Sequence, residues 1–228
     1  MGREKLDQYK GPLSPADVAA GMNAANGNAR RLAEDAALLL ERGRFPTAAA
    51  LAALAIEEAG KTSILRGLSL ARDEQELKEA WREYRSHTKK NAVWILPSLV
   101  ADGARSLDDF RSMYDPGSDH PHVLDQLKQL GFYTDCLGQA HWAISERIID
   151  ERLARSPVDV ANLLAREKVI TAEEIELWVE HMRPVWKGPM PWMKQALLDW
   201  HRAMRARGLA LDDEISMERF VGGDERQG

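Results

Sequence analysis

The apolar positions in the first forty residues predict one long helix. Ser14, Pro15 and Asp17, in the stretch "SPAD", are typical of a helix start. Serine caps free backbone N–H groups, proline fits the first turn, and an acid suits the positive end of the helix dipole. Alanines and leucines then recur at helical spacing from 29 to 40, and Gly43 is placed to end the helix.

A second predicted helix opens at Pro46 and carries the run "TAAALAALAIEEAGKTSILRGLSL". Small apolar residues cover every face of this helix from 48 to 55. A helix that is apolar all round is normally a buried one. We therefore expect it to lie at the centre of the fold.

Polar residues dominate the third predicted helix. It begins near Asp73, with Glu76 completing a pattern like a capping box, and carries "ELKEAWREYRSHTKKNAVWIL". Pro97 should stop or kink it, because proline lacks the N–H that a helix interior needs. If the helix is regular up to that point, Glu83 and His87 are four positions apart and share a face.

Shorter elements are expected after residue 100. A short helix follows Ser106, and β-favouring residues on both sides of Leu137-Gly138 predict a small hairpin. Two short helices are expected in "SERIIDERLA" and "SPVDVANLLAREKV". Thr171 and Glu174 form a capping box at the start of a further helix, and a last helix follows the loop "KGPMP".

The pattern as a whole predicts an all-α fold. We expect an antiparallel helical bundle with extra C-terminal helices and one small β-hairpin. The predicted organisation is an N-terminal tail at 1–13, the bundle at 14–155, a helical extension packed on it at 156–221, and a frayed tail at 222–228.

Composition and charge narrow the classes of function. The chain has 31 lysines and arginines against 36 acids, a formal net charge of -5, which argues against nucleic acid binding by the whole surface. A local basic groove is compatible with this balance. Cys136 is the single cysteine, which excludes an intrachain disulfide and fits a reducing compartment. The N terminus is charged and no apolar run is long enough for a bilayer, so we expect a cytoplasmic protein without membrane contact.

Two adjacent acids are the first candidates for chemistry. Glu57 and Glu58 follow ten uncharged residues on the helix expected at the centre, and Gly60 and Lys61 come after them. A buried carboxylate needs a cation or hydrogen-bond donors, or it takes up a proton. Either Glu57 pairs with Lys61 while Glu58 marks where the helix leaves the core, or one acid orients a basic residue on a neighbouring helix.

The stretch "WREYRSHTKKN" is the second candidate. A regular helix places Glu83, His87 and Asn91 on one face, and Arg82 and Lys89 on another. A carboxylate that fixes the tautomer of a histidine, with cations that receive an oxyanion, can cleave RNA without a metal. The competing interpretation is a solvated basic face with an incidental histidine.

No metal or cofactor is expected. The sequence has no Glu-x-x-His pair of a di-iron bundle, no zinc-type cysteine pattern and no glycine-rich phosphate loop. Asp119, His120 and His122 are metal-ligand types close together, but a turn is the more common role of such a segment.

Two segments together resemble a known family. "AIEEAGK", late on an alanine-rich second helix, and "REYRSHTKKN", on the third, are similar to the AbiV-type abortive-infection proteins. These belong to the HEPN superfamily of helical bundles (higher eukaryotes and prokaryotes nucleotide-binding). The resemblance covers the chain up to the third helix and extends more loosely over "LKQLGFYTDCLG". It implies a HEPN-like bundle and defence against phage by halting translation.

The resemblance also implies site residues. The superfamily's ribonuclease signature is an arginine followed, after a few residues, by a histidine, and Arg82 and His87 match it with four residues between them. It implies that His87 is the general base or acid, that Arg82 stabilises the phosphate, and that Glu83 fills the polar position after the arginine. It further implies a homodimer acting on RNA, with a phage-encoded protein as a candidate activator. The expected supporting residues are Glu57, Glu58 and Lys61 as orienting groups, and Arg85, Lys89, Lys90 and Asn91 as contacts to the RNA backbone.

The geometry of an ideal helix also favours a site built by two copies of the chain. Five positions put Arg82 and His87 about 140° apart, so one copy does not form a compact site and two facing copies are expected to build it. Two other functions remain open. One is a non-catalytic interaction protein whose basic stretch docks a phage or translation component. The other is a nucleotide-binding bundle in which Lys61, Arg82 and Lys89 hold phosphates.

Overall fold

The computed structural model of the protein describes residues 7–115, 117–165, 167–210 and 217–223. These residues form eleven α-helices and one two-stranded antiparallel sheet, so the predicted all-α fold with a small hairpin is confirmed. The helices are α1 (Pro15–Glu41), α2 (Phe45–Ser69), α3 (Glu74–Arg85), α4 (His87–Lys90), α5 (Leu96–Ala101), α6 (His120–Phe132), α7 (Ser145–Ile148), α8 (Glu151–Leu164), α9 (Ala172–Met182), α10 (Met190–Ala206) and α11 (Met217–Gly222). The strands are β1 (Asp135–Leu137) and β2 (His141–Ala143), and 3₁₀ segments lie at Asn91–Ile95, Leu107–Tyr114 and Arg183–Val185.

Helix α1 begins where the sequence predicts. The Asp17 backbone N–H donates to the Ser14 hydroxyl at 3.1 Å, and the Ser14 N–H donates to the Asp17 carboxylate at 3.2 Å. These two bonds complete a capping box. Gly43, at φ +71°, makes the turn after α1, a backbone conformation that glycine adopts without strain. The short connection brings α2 back antiparallel to α1.

Helix α2 is the central helix, as predicted. Its alanines at 48, 49, 50, 52, 53 and 55 are at most 1% exposed, and α1, α6 and α8 pack around it. The small side chains let neighbouring helices approach closely. At Gly131 of α6, a Cβ atom would lie 2.5 Å from the backbone oxygen of Pro46 and 2.8 Å from the Cβ atom of Ala50.

The third helix differs from the prediction. It starts as expected, with the Glu76 N–H donating to the Asp73 carboxylate at 2.8 Å, but it ends at Arg85 rather than near Pro97. Ser86 is extended, at φ -79° and ψ 128°, and caps the short helix α4 by accepting from the Lys89 N–H at 3.5 Å. Serine is among the best N-cap residues, so it both ends one helix and starts the next. Pro97 instead lies in the first turn of α5.

The second half of the chain also departs from the prediction: no helix was expected at α6, and the helices near residue 150 have other bounds. Two short helices were expected at 145–154 and 156–169, and two helices occur, α7 and α8, but α8 already begins at Glu151 and runs continuously through Pro157. Its buried side chains on both sides of the proline, Ala154 and Val158 among them, hold it against α1 and α2. The expected boundary between residues 155 and 156 therefore lies inside a helix. The capping box of Thr171 and Glu174 at the start of α9 is confirmed.

The ends of the chain are described in part. The Trp81 indole N–H donates to the Gly11 carbonyl at 3.0 Å, which fastens residues of the expected N-terminal tail to α3. Of the tail expected to fray, 222–228, residues 224–228 lie outside the described ranges.

None of the described helices is both long enough and apolar enough to span a bilayer.

Candidate functional site

Glu57 on α2 and His87 on α4 meet, although 30 positions separate them in the sequence. The Nδ1 atom of His87 lies 2.8 Å from Oε2 of Glu57. An ionised carboxylate only accepts hydrogen bonds, so Nδ1 carries the proton and Nε2 of the neutral ring is the basic nitrogen. The Glu57 side chain is 5% exposed and that of His87 is 60% exposed. A buried acid thus holds an imidazole whose Nε2 makes no hydrogen bond to any described residue.

Two local features put His87 on α2. The extended Ser86 turns the chain out of α3, so that α4 lies across α2. At Gly60 a Cβ atom would fall well inside 3.0 Å of the Lys90 carbonyl oxygen, a separation that real Cβ atoms essentially never show. Glycine at this position is what allows the backbone of α4 to lie on α2. In "AIEEAGK", the acid and the glycine therefore serve the same contact.

Two lysines and a second acid surround the Glu57 carboxylate. Lys128 of α6 places its Nζ 2.5 Å from Oε1 of Glu57 and 2.7 Å from Oδ1 of Asp125, and Lys90 places its Nζ 3.7 Å from Oε2 of Glu57. The two positive and two negative charges balance, so the cluster is neutral while His87 is uncharged.

The pKa values of the two lysines move in opposite directions. Burial alone would lower the pKa of the Lys128 ammonium, but its contacts with Asp125 and Glu57 raise it above its ordinary value. Burial is also the main influence on Lys90, and there it lowers the pKa because the nearest carboxylate is more distant. Of the two lysines beside Glu57, Lys128 therefore holds its proton more strongly than Lys90 does.

The expected pairing of Glu83 with His87 is wrong. It required an uninterrupted helix, and the break at Ser86 removes the four-residue relationship. Glu57 takes the place of Glu83 as the partner of His87. Glu83 is exposed at the end of α3, and its side chain makes no hydrogen bond or ion pair with another described residue.

The acids of "AIEEAGK" are divided between two partners. The alternative in which Glu57 pairs with Lys61 does not occur: Lys61 instead lies 2.5 Å from Oε1 of Glu58, and 5.6 Å from the ring centre of Tyr84. The pair of Glu58 and Lys61 therefore contributes to the contact between α2 and α3, through the ring of Tyr84. The alternative in which an acid reaches a neighbouring helix is the one that Glu57 follows.

The cations expected to hold RNA fall into two groups. Arg82 and Lys89 are exposed, and neither side chain has a polar partner among the described residues. Arg85 is engaged: its guanidinium donates to the Tyr9 carbonyl at 2.7 Å and lies 5.3 Å from the ring centre of Trp81. Lys90 is buried, and so is Asn91, whose amide donates to the Pro121 carbonyl.

The sequence reasoning missed Lys128 and Asp125. A signal was present, because Leu124, Lys128 and Gly131 follow one another at spacings of four and three, the period of a single helix face. All three are buried. A lysine inside an apolar stripe needs a buried acid, and Glu57 is the acid that meets it.

Comparison with known proteins gives one match. The family model HEPN_AbiV, described as AbiV, matches residues 17–166, about two thirds of the 228 residues. No curated protein and no solved structure matches the chain. The matched range contains α1 from its third residue and all of α2 to α8, and with them Glu57, His87 and Lys128. The chain therefore belongs to the AbiV family of HEPN proteins, the abortive-infection family that its second and third helices resemble.

Proposed function

We propose that the protein is a phage-defence effector that cuts RNA without a metal ion, at a site built by a homodimer, and so halts translation. The contact between Glu57 and His87 carries the proposal. A buried carboxylate holds an exposed imidazole in one tautomer, which is how a general base is prepared. Membership of the AbiV family supports abortive infection as the setting.

In the proposed reaction, Nε2 of His87 takes the proton of an RNA 2′-hydroxyl, and that oxygen attacks the adjacent phosphorus. Arg82, whose guanidinium is free of other described residues, stabilises the growing charge on the phosphate oxygens. The bond to the 5′-oxygen breaks and this oxygen takes up a proton. The products are a 2′,3′-cyclic phosphate and a 5′-hydroxyl. Glu57 offsets the charge that His87 gains.

A second copy of the chain supplies the acid. One His87 cannot donate the proton of the leaving group while it accepts that of the nucleophile, but a protonated His87 from a second copy can. The break at Ser86 means that Arg82 and His87 no longer share one helix, so the need for a dimer rests on this chemistry rather than on the angle between them.

Cleavage of total RNA by the purified chain, in the presence of a chelator, tests the proposal. We expect Arg82→Ala and His87→Ala each to lower the rate, His87→Ala by about 10²–10⁴-fold, the contribution of a positioned general base. His141→Ala removes an exposed histidine of β2 and is the matched control. Circular dichroism checks that each variant is folded. Undiminished cleavage by His87→Ala would contradict the proposal.

One surface favours a second function, that of a non-catalytic interaction protein. Tyr133, Leu137 and Trp142, in or next to the hairpin, are 61%, 46% and 67% exposed. Trp142 pairs with Cys136 and so faces the opposite side of the hairpin from Leu137, which leaves an exposed apolar side chain on each face. Exposed apolar side chains of this kind can contact a partner protein. Growth arrest that survives His87→Ala but is lost in Trp142→Ala would support this function, and the reverse result would support the nuclease.

A further inference from the structure

The ammonium group of Lys128 lies among three side chains that could otherwise share a metal ion. Ligand atoms of Glu57, His87 and Asp125 all lie within 4.8 Å of one another, which is close enough for one cation to contact all three. The Lys128 Nζ is 2.5 Å from Glu57, 2.7 Å from Asp125 and 3.5 Å from Nδ1 of His87. The lysine therefore stands where such a cation would stand.

We propose that Lys128 is a positioning residue that acts as a built-in cation: it takes the place of a metal ion and turns the Glu57 carboxylate toward His87. This inference rests on the proposed function where catalysis is concerned. That Lys128 occupies the place of a metal ion does not depend on the proposed function.

The contacts of Glu57 show how the orientation arises. Lys128 engages Oε1 of Glu57, and His87 engages Oε2, so each oxygen has its own partner. Because both Glu57 and Lys128 are nearly buried, with side chains 5% and 7% exposed, water does not compete for these oxygens. Removing the lysine leaves the buried carboxylate free to rotate and without its nearest charge partner.

The packing of the helices fixes the position of Lys128 as well as that of Glu57. Lys128 belongs to α6, which contacts α2 closely through Gly131, one turn further on. The Trp94 indole N–H donates to the His120 carbonyl at 2.9 Å, which fastens the start of α6 to the segment that follows α4. The positions of Glu57, His87 and Lys128 are thus set by three elements that are packed on one another.

Zinc titration tests the occupation of the cation position. We expect the full-length Lys128→Ala variant to bind one additional Zn²⁺ per chain by calorimetry, because the three ligands are released together. The wild-type chain and the double variant Lys128→Ala, His87→Ala should lack this additional site. Zinc binding by the wild type at the same site, or no gain in Lys128→Ala, would overturn the inference. This result is informative even if the wild type cuts no RNA, in which case only the proposed function fails.

Cleavage kinetics with chelator test the positioning role. We expect Lys128→Met to lower kcat about 10–100-fold, the usual cost of removing a group that orients a reacting one. KM should change little, because the buried lysine does not reach the RNA. The matched control is Lys168→Met, which removes a lysine 2.6 Å from the buried Glu174, far from the site in sequence, and should leave kcat unchanged.

A milder variant separates positioning from folding. Lys128→Gln keeps a hydrogen-bond donor beside Glu57 without the charge, and the inference predicts a loss of kcat here too. A folded Lys128→Gln or Lys128→Met variant with wild-type kcat would overturn the positioning role.

Discussion

Gly60 of α2 and Lys90 of α4 are in backbone contact, so close that the Lys90 carbonyl oxygen takes the space of a side chain at position 60. This contact fixes the position of α4, which carries the candidate catalytic residue His87. The turn that it seats begins with His87, and His87 reaches Glu57 one turn before Gly60 on the same helix.

Substitution of Gly60 tests this contact. Gly60→Ala should lower the free energy of unfolding by about 1–3 kcal/mol, the cost of overpacking a close contact. Gly27→Ala is the control, because a Cβ atom there would meet nothing within 4 Å, and the exchange should stabilise the helix by about 0.5–1 kcal/mol. Urea unfolding measures both. Equal stability of the two variants would show that α4 is not seated on Gly60.

The two acids of "AIEEAGK" should differ in their effect on RNA cleavage. Glu57→Gln keeps the shape of the side chain but can no longer fix the tautomer of His87, so kcat should fall by about 10²–10⁴-fold. Glu58→Gln disturbs only the pair with Lys61, so its effect should be smaller by at least about tenfold. Single-turnover rates with chelator measure the two effects. The opposite ranking would move the orienting role to Glu58.

Arg82 and Arg85 should separate activity from stability. Arg82→Ala should reduce cleavage and leave the thermal midpoint unchanged, because the exposed side chain has no polar partner among the described residues. Arg85→Ala should lower stability by about 1–2 kcal/mol, since it loses a hydrogen bond to Tyr9 and the contact with Trp81. Thermal unfolding and cleavage of the same preparations distinguish the two. A stable Arg85→Ala variant with impaired cleavage would instead place Arg85 in the RNA-binding set.

The stability of the protein should depend on pH through the ionisation of Glu76. Hydrogen bonds from the side chain and the backbone N–H of Arg72 lower the pKa of Glu76 from 4.5 to about 2. Because the pKa of the folded state is the lower one, the stabilising contribution is complete above pH 4.5 and is lost as the pH falls through 2.

The check is the difference in thermal midpoint between the wild type and Glu76→Gln. It should be present at pH 7 and shrink steadily between pH 4.5 and 2. Glu74→Gln removes a neighbouring exposed acid of the same helix and serves as the control. A difference that stays constant down to pH 2 would contradict the role of the pair between Arg72 and Glu76.

Much of the fold could be predicted because its signals are local. The caps at Ser14, Asp73 and Thr171, and the hairpin around Gly138, act within three or four residues of their own positions. The composition of the alanine-rich helix α2 was enough to predict its central position. The family was also visible, since "AIEEAGK" and "REYRSHTKKN" lie within the range that matches the AbiV family model.

The site could be predicted only in part. The sequence singled out Glu57 and His87, but Glu83 was assigned as the partner of His87 because the polar stretch was taken as one helix through Ser86, where a new helix begins. Lys128 escaped notice because it lies 41 positions beyond His87 and 71 beyond Glu57.

By itself, then, the sequence determined where α1, α2, α3, α9 and α10 begin, the all-α class and the family. The tertiary structure decided which acid meets His87, and it brought Lys128 between Glu57 and Asp125. The physical reason is the range of the forces. Capping and helical periodicity act over a few residues and can be read from the chain. The charge partners of a buried side chain depend on how closely whole helices approach, and here Gly60 and Gly131 set that approach.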